Sequence, residues 1–137
     1  MTIQLSVAVR DAMLNAAETA IGVSAIVKLK SGAQPANCAA ADTGTVIATF
    51  SLAADWMAAS SSGSKAFSSV PLTDAAADNN GVLQHYRVYA TDGTTCHMQG
   101  SITATGGGGD LTVDNVVVTA GQSVSITSWV INMASHA

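Results

Sequence analysis

Cys96-His97 is the pairing in this chain with the most obvious chemical potential. A thiol beside an imidazole can supply a nucleophile pair or two metal ligands. The local pattern argues against both. Successive side chains on a strand point to opposite faces, so Cys96 and His97 diverge. A metal would need further ligands at close spacing, and Cys38, His85 and His136 do not stand at such spacing. Nothing beside Cys96 reads as a helix N-terminus that would lower its thiol pKa. No G-x-S-x-G elbow occurs. Asp74 and Asp78 are the nearest thing to a carboxylate pair, but they sit in a turn-rich stretch and read as turn formers and caps. Gly106-Gly107-Gly108-Gly109 leads into Asp110 and a β-rich run, where a phosphate loop needs a helix. A wide hairpin connection is expected there. Asp42, Asp110 and Asp114 lack calcium-loop spacing. The expectation is a protein with no catalytic residues, no cofactor and no metal, and not an enzyme.

The composition bears on partners instead. The 137 residues suit one domain with its own core. Hydrophobic residues make up 48%, an ordinary share, but charged residues make up 10%, well short of a typical soluble domain. Ala, Ser, Thr and Gly supply nearly half the chain. A surface of hydroxyls, methyls and peptide groups has little repulsion to keep copies apart and suits burial between subunits. The net charge is −4 with no basic patch, so nucleic-acid binding is not expected. No apolar run reaches membrane-spanning length, and no basic stretch leads into an apolar leader. Synthesis in a cytosol is expected, with Cys38 and Cys96 as buried thiols. A Cys38–Cys96 disulfide after release into an oxidising medium stays open, since spacing alone cannot establish a pair.

The elements that must position these residues follow from periodicity. Leu5, Val9, Met13, Ala16 and Ala20 form one stripe of a helix over residues 5–21, with Arg10, Leu14 and Glu18 on its neighbour. Ser6 caps its start and Gly22 its end. So little charge implies packing along much of its circumference. Residues 1–22 are read as a helical segment packed on a single β domain, 23–137. In 25–30, Val27 and Leu29 alternate against Lys28 and Lys30. A strand over 45–52 is apolar or small on both sides and is expected at the sheet centre. Residues 55–59 read as a helical turn capped by Asp55, 60–64 as a flexible tip, 65–70 as a weak strand and 71–81 as a polar loop. Strands 83–90 and 95–105 flank Asp92-Gly93, which favours a type I′ hairpin. A strict two-residue turn pairs Tyr89 with Cys96 and Arg87 with Met98, and a bulge shifts this by one. Runs at 111–113, 116–118 and 123–133 complete about seven short strands. The fold class is mainly β: an antiparallel β-sandwich or jelly-roll-like barrel with one N-terminal α-helix. Trp129 is core or an intersubunit plug. Trp56 either anchors a partner or folds onto its own sheet.

Several stretches together resemble small tailed-bacteriophage virion proteins. They are Lys28-Leu29-Lys30-Ser31-Gly32, then Pro35-Ala36, then Cys38 through Asp42-Thr43-Gly44-Thr45 to Ala48. Asp55-Trp56-Met57-Ala58-Ala59, Tyr86 to His97, and Gly106 to Asp110 extend the likeness over most of the chain. The resemblance implies a non-enzymatic virion component with no catalytic residues to carry over. Capsid cement (decoration) proteins of this size are often β-sandwich or jelly-roll domains sitting as dimers or trimers on the shell. A homo-oligomer bound across major capsid protein subunits, in a virion assembled in the host cytoplasm, is therefore expected, with no nucleic-acid or membrane contact. Leu5, Val9, Met13, Pro35, Trp56 and Met57 are the expected partner contacts. A neck, tail-fibre or host-surface position is the alternative within the virion. A small lectin-like module is the alternative outside it, for which Tyr86, Tyr89 and Trp56 are the available aromatics.

Overall fold

The computed structural model describes residues 3–133; Met1, Thr2 and residues 134–137, His136 among them, lie outside the described residues. The chain is mainly β, with one N-terminal helix on a curled, sandwich-like arrangement of sheets. The helix α1 spans Val7–Ile21. Strands β1 (Ile26–Lys30), β2 (Val46–Ser51), β3 (Ser64–Ala66) and β4 (Leu72–Asp74) follow. Then come β5 (Gly81–Val82), β6 (His85–Tyr89), β7 (Cys96–Ala104), β8 (Leu111–Val113), β9 (Val117–Val118), β10 (Val124–Ile126) and β11 (Val130–Asn132). The largest sheet has the order β2-β1-β6-β7-β8. Strand β4 pairs with β10, β3 with β11 and β5 with β9. Because β4 packs beside β2 and β10 beside β8, the β4–β10 pair reaches from one edge of the large sheet to the other.

Alternation in β1 gives the large sheet two unlike faces. Val27 lies opposite Phe50 and Val88, and Leu29 opposite Ala48 and Tyr86. These residues form the apolar face. Against that core, Phe67 stacks on Trp129 with centroids 4.0 Å apart, and Tyr86 meets Trp129 edge-on at 4.7 Å. Trp56 leans on Phe67 at 5.3 Å. Each large side chain so buried contributes roughly 1.5–3 kcal/mol. On the other face Lys28 lies opposite Arg87 and Lys30 opposite His85. That face is covered by the loop from Ser31 to Thr45.

Several local expectations give way to tertiary packing. Strand β2 is an edge strand, not a central one. Its exposed edge is covered by the 78–81 segment: Asp78 N donates to Ile47 O (2.8 Å) and the Asn79 amide to Val46 O (2.8 Å). A covered edge needs the same apolar second face as a central strand. Residues 55–59 are extended, not helical, because pairing with the next strand puts both Trp56 and Met57 inside: Ala58 N donates to Ala66 O (2.8 Å) and Met57 bridges Phe67. The expected polar loop at 71–81 contains β4 and the first residue of β5, while the expected strand at 123–133 breaks into β10 and β11, which pair with different partners.

The Asp92-Gly93 connection is a four-residue loop closed by Ala90 N to Thr95 O (2.9 Å), not a type I′ turn. Gly93 has positive φ and Asp92 does not. The Asp92 carboxylate instead accepts from Thr94 N and Thr95 N. Tyr89 pairs with Cys96, but a bulge at His97 then shifts the register, so Arg87 faces Gln99. The glycine run is not a hairpin either. Strand β8 runs parallel to β7, with Ile102 opposite Leu111. Gly106 and Gly108, both at positive φ, let six residues coil the chain back to start again beside itself.

Candidate interaction surface

Two clusters of buried cations organise this molecule, one around Lys65 and one around Arg87 and Lys30, and each holds a separate segment against the sheets. The first is built on Lys65, on β3. Its side chain is 3% exposed, and its ammonium meets Glu18 Oε2, Asn15 Oδ1 and Ala58 O, each at 2.8 Å. Glu18 and Asn15 belong to α1. The same helix face adds Arg10 Nη1 to Met133 O (2.9 Å), Asp11 Oδ1 accepting from Gly63 N (2.8 Å), and Glu18 Oε1 accepting from Met57 N (3.1 Å). Asp11 O also accepts from Ser60 Oγ, so the expected flexible 60–64 tip is tied down. Every charged residue of α1 therefore turns inward.

The helix is thus mounted polar side in. Leu14 and Ile21 are its buried apolar residues. The regular apolar stripe faces out: Val9 is 44% and Met13 46% exposed, with Ala12, Ala16 and Ala20 beside them. Ile3 and Val23 extend the apolar surface at the two ends. The helix does not pack around much of its circumference, because its intramolecular partners are polar. Beside its C-terminal end, Glu18, Thr19, Gly22, Val23, Ala54, Asp55 and Trp56 line a cleft of about 350 Å3. Of the contact residues inferred from the sequence, Val9 and Met13 are displayed on this face, and Leu5 is half-buried.

The remaining three are corrected: Pro35, Trp56 and Met57 are all buried. Trp56 folds onto its own domain, and its indole Nε1 donates to Gly22 O (2.9 Å). Tyr86 and Tyr89 are buried as well, so the three aromatics that a sugar platform would need all lie inside. Trp129 is core. Burial, then the Asp110 carboxylate, pushes the Tyr86 phenol up to about 12.

The second is built on Arg87, 1% exposed at the centre of the polar sheet face. The 31–45 loop wraps around it. Nη2 donates to the carbonyls of Asn37 (3.2 Å), Cys38 (2.9 Å) and Ala40 (3.2 Å), and Nη1 to Asp42. Asp42 also pairs with Lys30 Nζ (2.9 Å) and accepts from Tyr89 Oη (2.7 Å). Burial works against the charge on Asp42, but hydrogen bonds from Lys30, Tyr89 and Arg87 outweigh it and hold its pKa at about 2. Gln99 Nε2 donates to Pro35 O (2.7 Å), and His85 Nδ1 meets Gly32 O (2.9 Å). Burial lowers the His85 pKa, so the ring is neutral with its Nδ1 proton on that carbonyl. These groups are committed to holding a loop. The alternation in 25–30 placed Lys28 and Lys30 on one face, but nothing in sequence pointed to Asp42, twelve residues beyond Lys30 and across a loop, as the anion that Lys30 shares with Arg87.

The structure does not bring the two histidines together. His85 is buried opposite Ser101, and His97 sits exposed in the bulge. Asp74 accepts from Thr49 N and Ala76 N, and Asp78 from Thr49 Oγ1, as capping groups do. Asp110 accepts from Ser101 N (2.9 Å). Among the described residues, no three His, Cys, Asp or Glu side chains converge, and no helix is long and apolar enough to cross a membrane. Comparison with known protein families, with curated proteins and with solved structures finds no match to this chain.

Proposed function

We propose that this chain is a structural subunit of a tailed-bacteriophage virion, of the capsid cement type. It binds across neighbouring major capsid protein subunits and stabilises the head by added contact, without chemistry of its own. It acts as a dimer or trimer on the assembled particle. The observation that carries this reading is the mounting of α1. Its charges are spent on the protein's own body, and an uncharged stripe bearing Val9 and Met13 is left for a neighbour. The scarcity of charge over the whole chain supports the same use of the surface. A specific contact needs about 800 Å2 per partner. The helix face alone is smaller than that, so Val23 and the cleft beside Trp56 belong to the same footprint.

Sedimentation with expanded heads tests the proposal. The purified chain should co-sediment at a copy number equal to, or a simple fraction of, the number of capsid subunits. Val9→Lys with Met13→Lys should abolish co-sedimentation while the free protein stays folded. Undiminished binding by that double variant would remove the helix from the interface. A handful of copies per particle would move the protein to a neck or fibre position.

A further inference from the structure

Cys38 and Cys96 lie far apart in sequence, and the fold brings them side by side. Cys96 starts β7 and pairs with Tyr89, so its side chain shares the polar sheet face with Tyr89 and Arg87. Cys38 sits in the covering loop directly above, where its carbonyl accepts from Arg87 Nη2 at 2.9 Å. Tyr89 and Arg87 both reach Asp42 in that same loop, which fixes the loop over the start of β7 from two strand positions. The Cys96 thiol is directed at Met98 O (3.4 Å), with the Cys38 side chain against it. Both thiols are half-buried and both are free.

We propose that Cys38 and Cys96 are a preorganised dithiol that closes to an intramolecular disulfide when the protein meets a low-molecular-weight disulfide such as oxidised glutathione. One protein thiolate attacks a glutathione sulfur, the glutathione S–S bond breaks, and one glutathione thiolate leaves. The second protein thiol loses its proton and attacks the protein sulfur of the mixed disulfide, the mixed S–S bond breaks, and the second glutathione leaves as its thiolate. Two protein thiols are oxidised and one glutathione disulfide is reduced to two thiols. Burial, and then the adjacent Cys38 sulfur, push the Cys96 thiol up to about 11. The Cys96 thiol also keeps its proton directed at Met98 O (3.4 Å), and Cys38 attacks first. The closed bond would rivet the 31–45 loop over the Arg87 cluster. The loop is already held there by Arg87, Asp42 and Gln99, so closure needs little reorganisation. This inference does not depend on what the protein assembles with, and its test uses the free protein.

Incubation with oxidised glutathione, followed by alkylation and non-reducing peptide mapping, reads the product. The expected result is a monomeric chain with a 38–96 cross-link and a melting temperature about 10 °C above that of the reduced form, as a cross-link closing a loop of this length predicts. Cys38→Ser and Cys96→Ser should each abolish that rise, and Cys38→Ser should also suppress the mixed disulfide. Full alkylation of both thiols after oxidation would overturn the proposal. So would stable mixed disulfides at both positions, or cross-linked dimers.

Discussion

The Arg87 and Lys65 clusters are built alike and do different things. Each centres on a buried cation, with Lys30 beside Arg87 in the first, gives it a carboxylate from a distant segment, and completes it with backbone carbonyls. Arg87 lies on β6, in the middle of five strands, and the segment it holds closes over it as a loop. Lys65 lies on a three-residue strand, and the segment it holds shows the solvent its apolar side. A buried ion pair is poor evidence of stabilisation over an apolar core, but it is strong evidence of position, because breaking it strands a charge. The Arg87 cluster finishes a surface. The Lys65 cluster orients one.

The largest test of that contrast is Arg87→Ala. It removes a buried guanidinium and its bonds to three loop carbonyls, while Asp42, 42% exposed, keeps Lys30 and Tyr89. A loss of about 3–4 kcal/mol in urea unfolding is expected, from the hydrogen bonds lost to the charged group, as one cooperative transition. A loss under about 1 kcal/mol would mean that the loop is not held as described. Lys65→Ala comes next, at about 2–3 kcal/mol, because Glu18 keeps its bond from Met57 N and some contact with solvent. Its effect should be local: hydrogen exchange should speed up in 7–21 while β1 and β6 keep their protection. Equal loss of protection throughout would erase the distinction between the two clusters.

Acid should loosen the Arg87 side in two stages. The His85 pKa is depressed by burial in the folded state, so its contribution is complete above the ordinary value of 6.5 and is lost as pH falls through the lower folded value. The Asp42 contribution is complete above 3.8 and is lost between there and about 2. Melting temperatures measured across that range should fall in both windows. His85→Gln should flatten the upper stage and Asp42→Asn the lower one. The smallest effect belongs to the outer helix face: Val9→Lys with Met13→Lys should change stability by no more than about 0.5 kcal/mol, read by thermal melting. A larger loss would show that the face is used within the monomer.

The helix, its Ser6 cap and the two-faced β1 strand were legible because each depends on residues close in sequence. Which helix stripe faces inward was not legible. Periodicity separates two stripes but cannot say that Lys65, fifty residues on, will attract Asn15 and Glu18. The same limit applies to Trp56. A residue between small neighbours reads as a loop until Phe67 and Gly22 are seen to enclose it. The parallel β8 return was missed because a glycine run between two β-rich stretches is also what a hairpin looks like. The Thr103 hydroxyl accepting from Gly109 N (2.9 Å) helps set the direction of the return, and it is a contact no local pattern announces.

The outward face of α1 carries no ionic groups, and this fixes how any grip it makes should respond to solvent. Charged interfaces loosen as electrolyte shortens the Debye length, whereas an aliphatic one has nothing to screen. Attachment through Val9 and Met13 should persist in strong brine, tighten in sulfate and slacken on chilling or in urea.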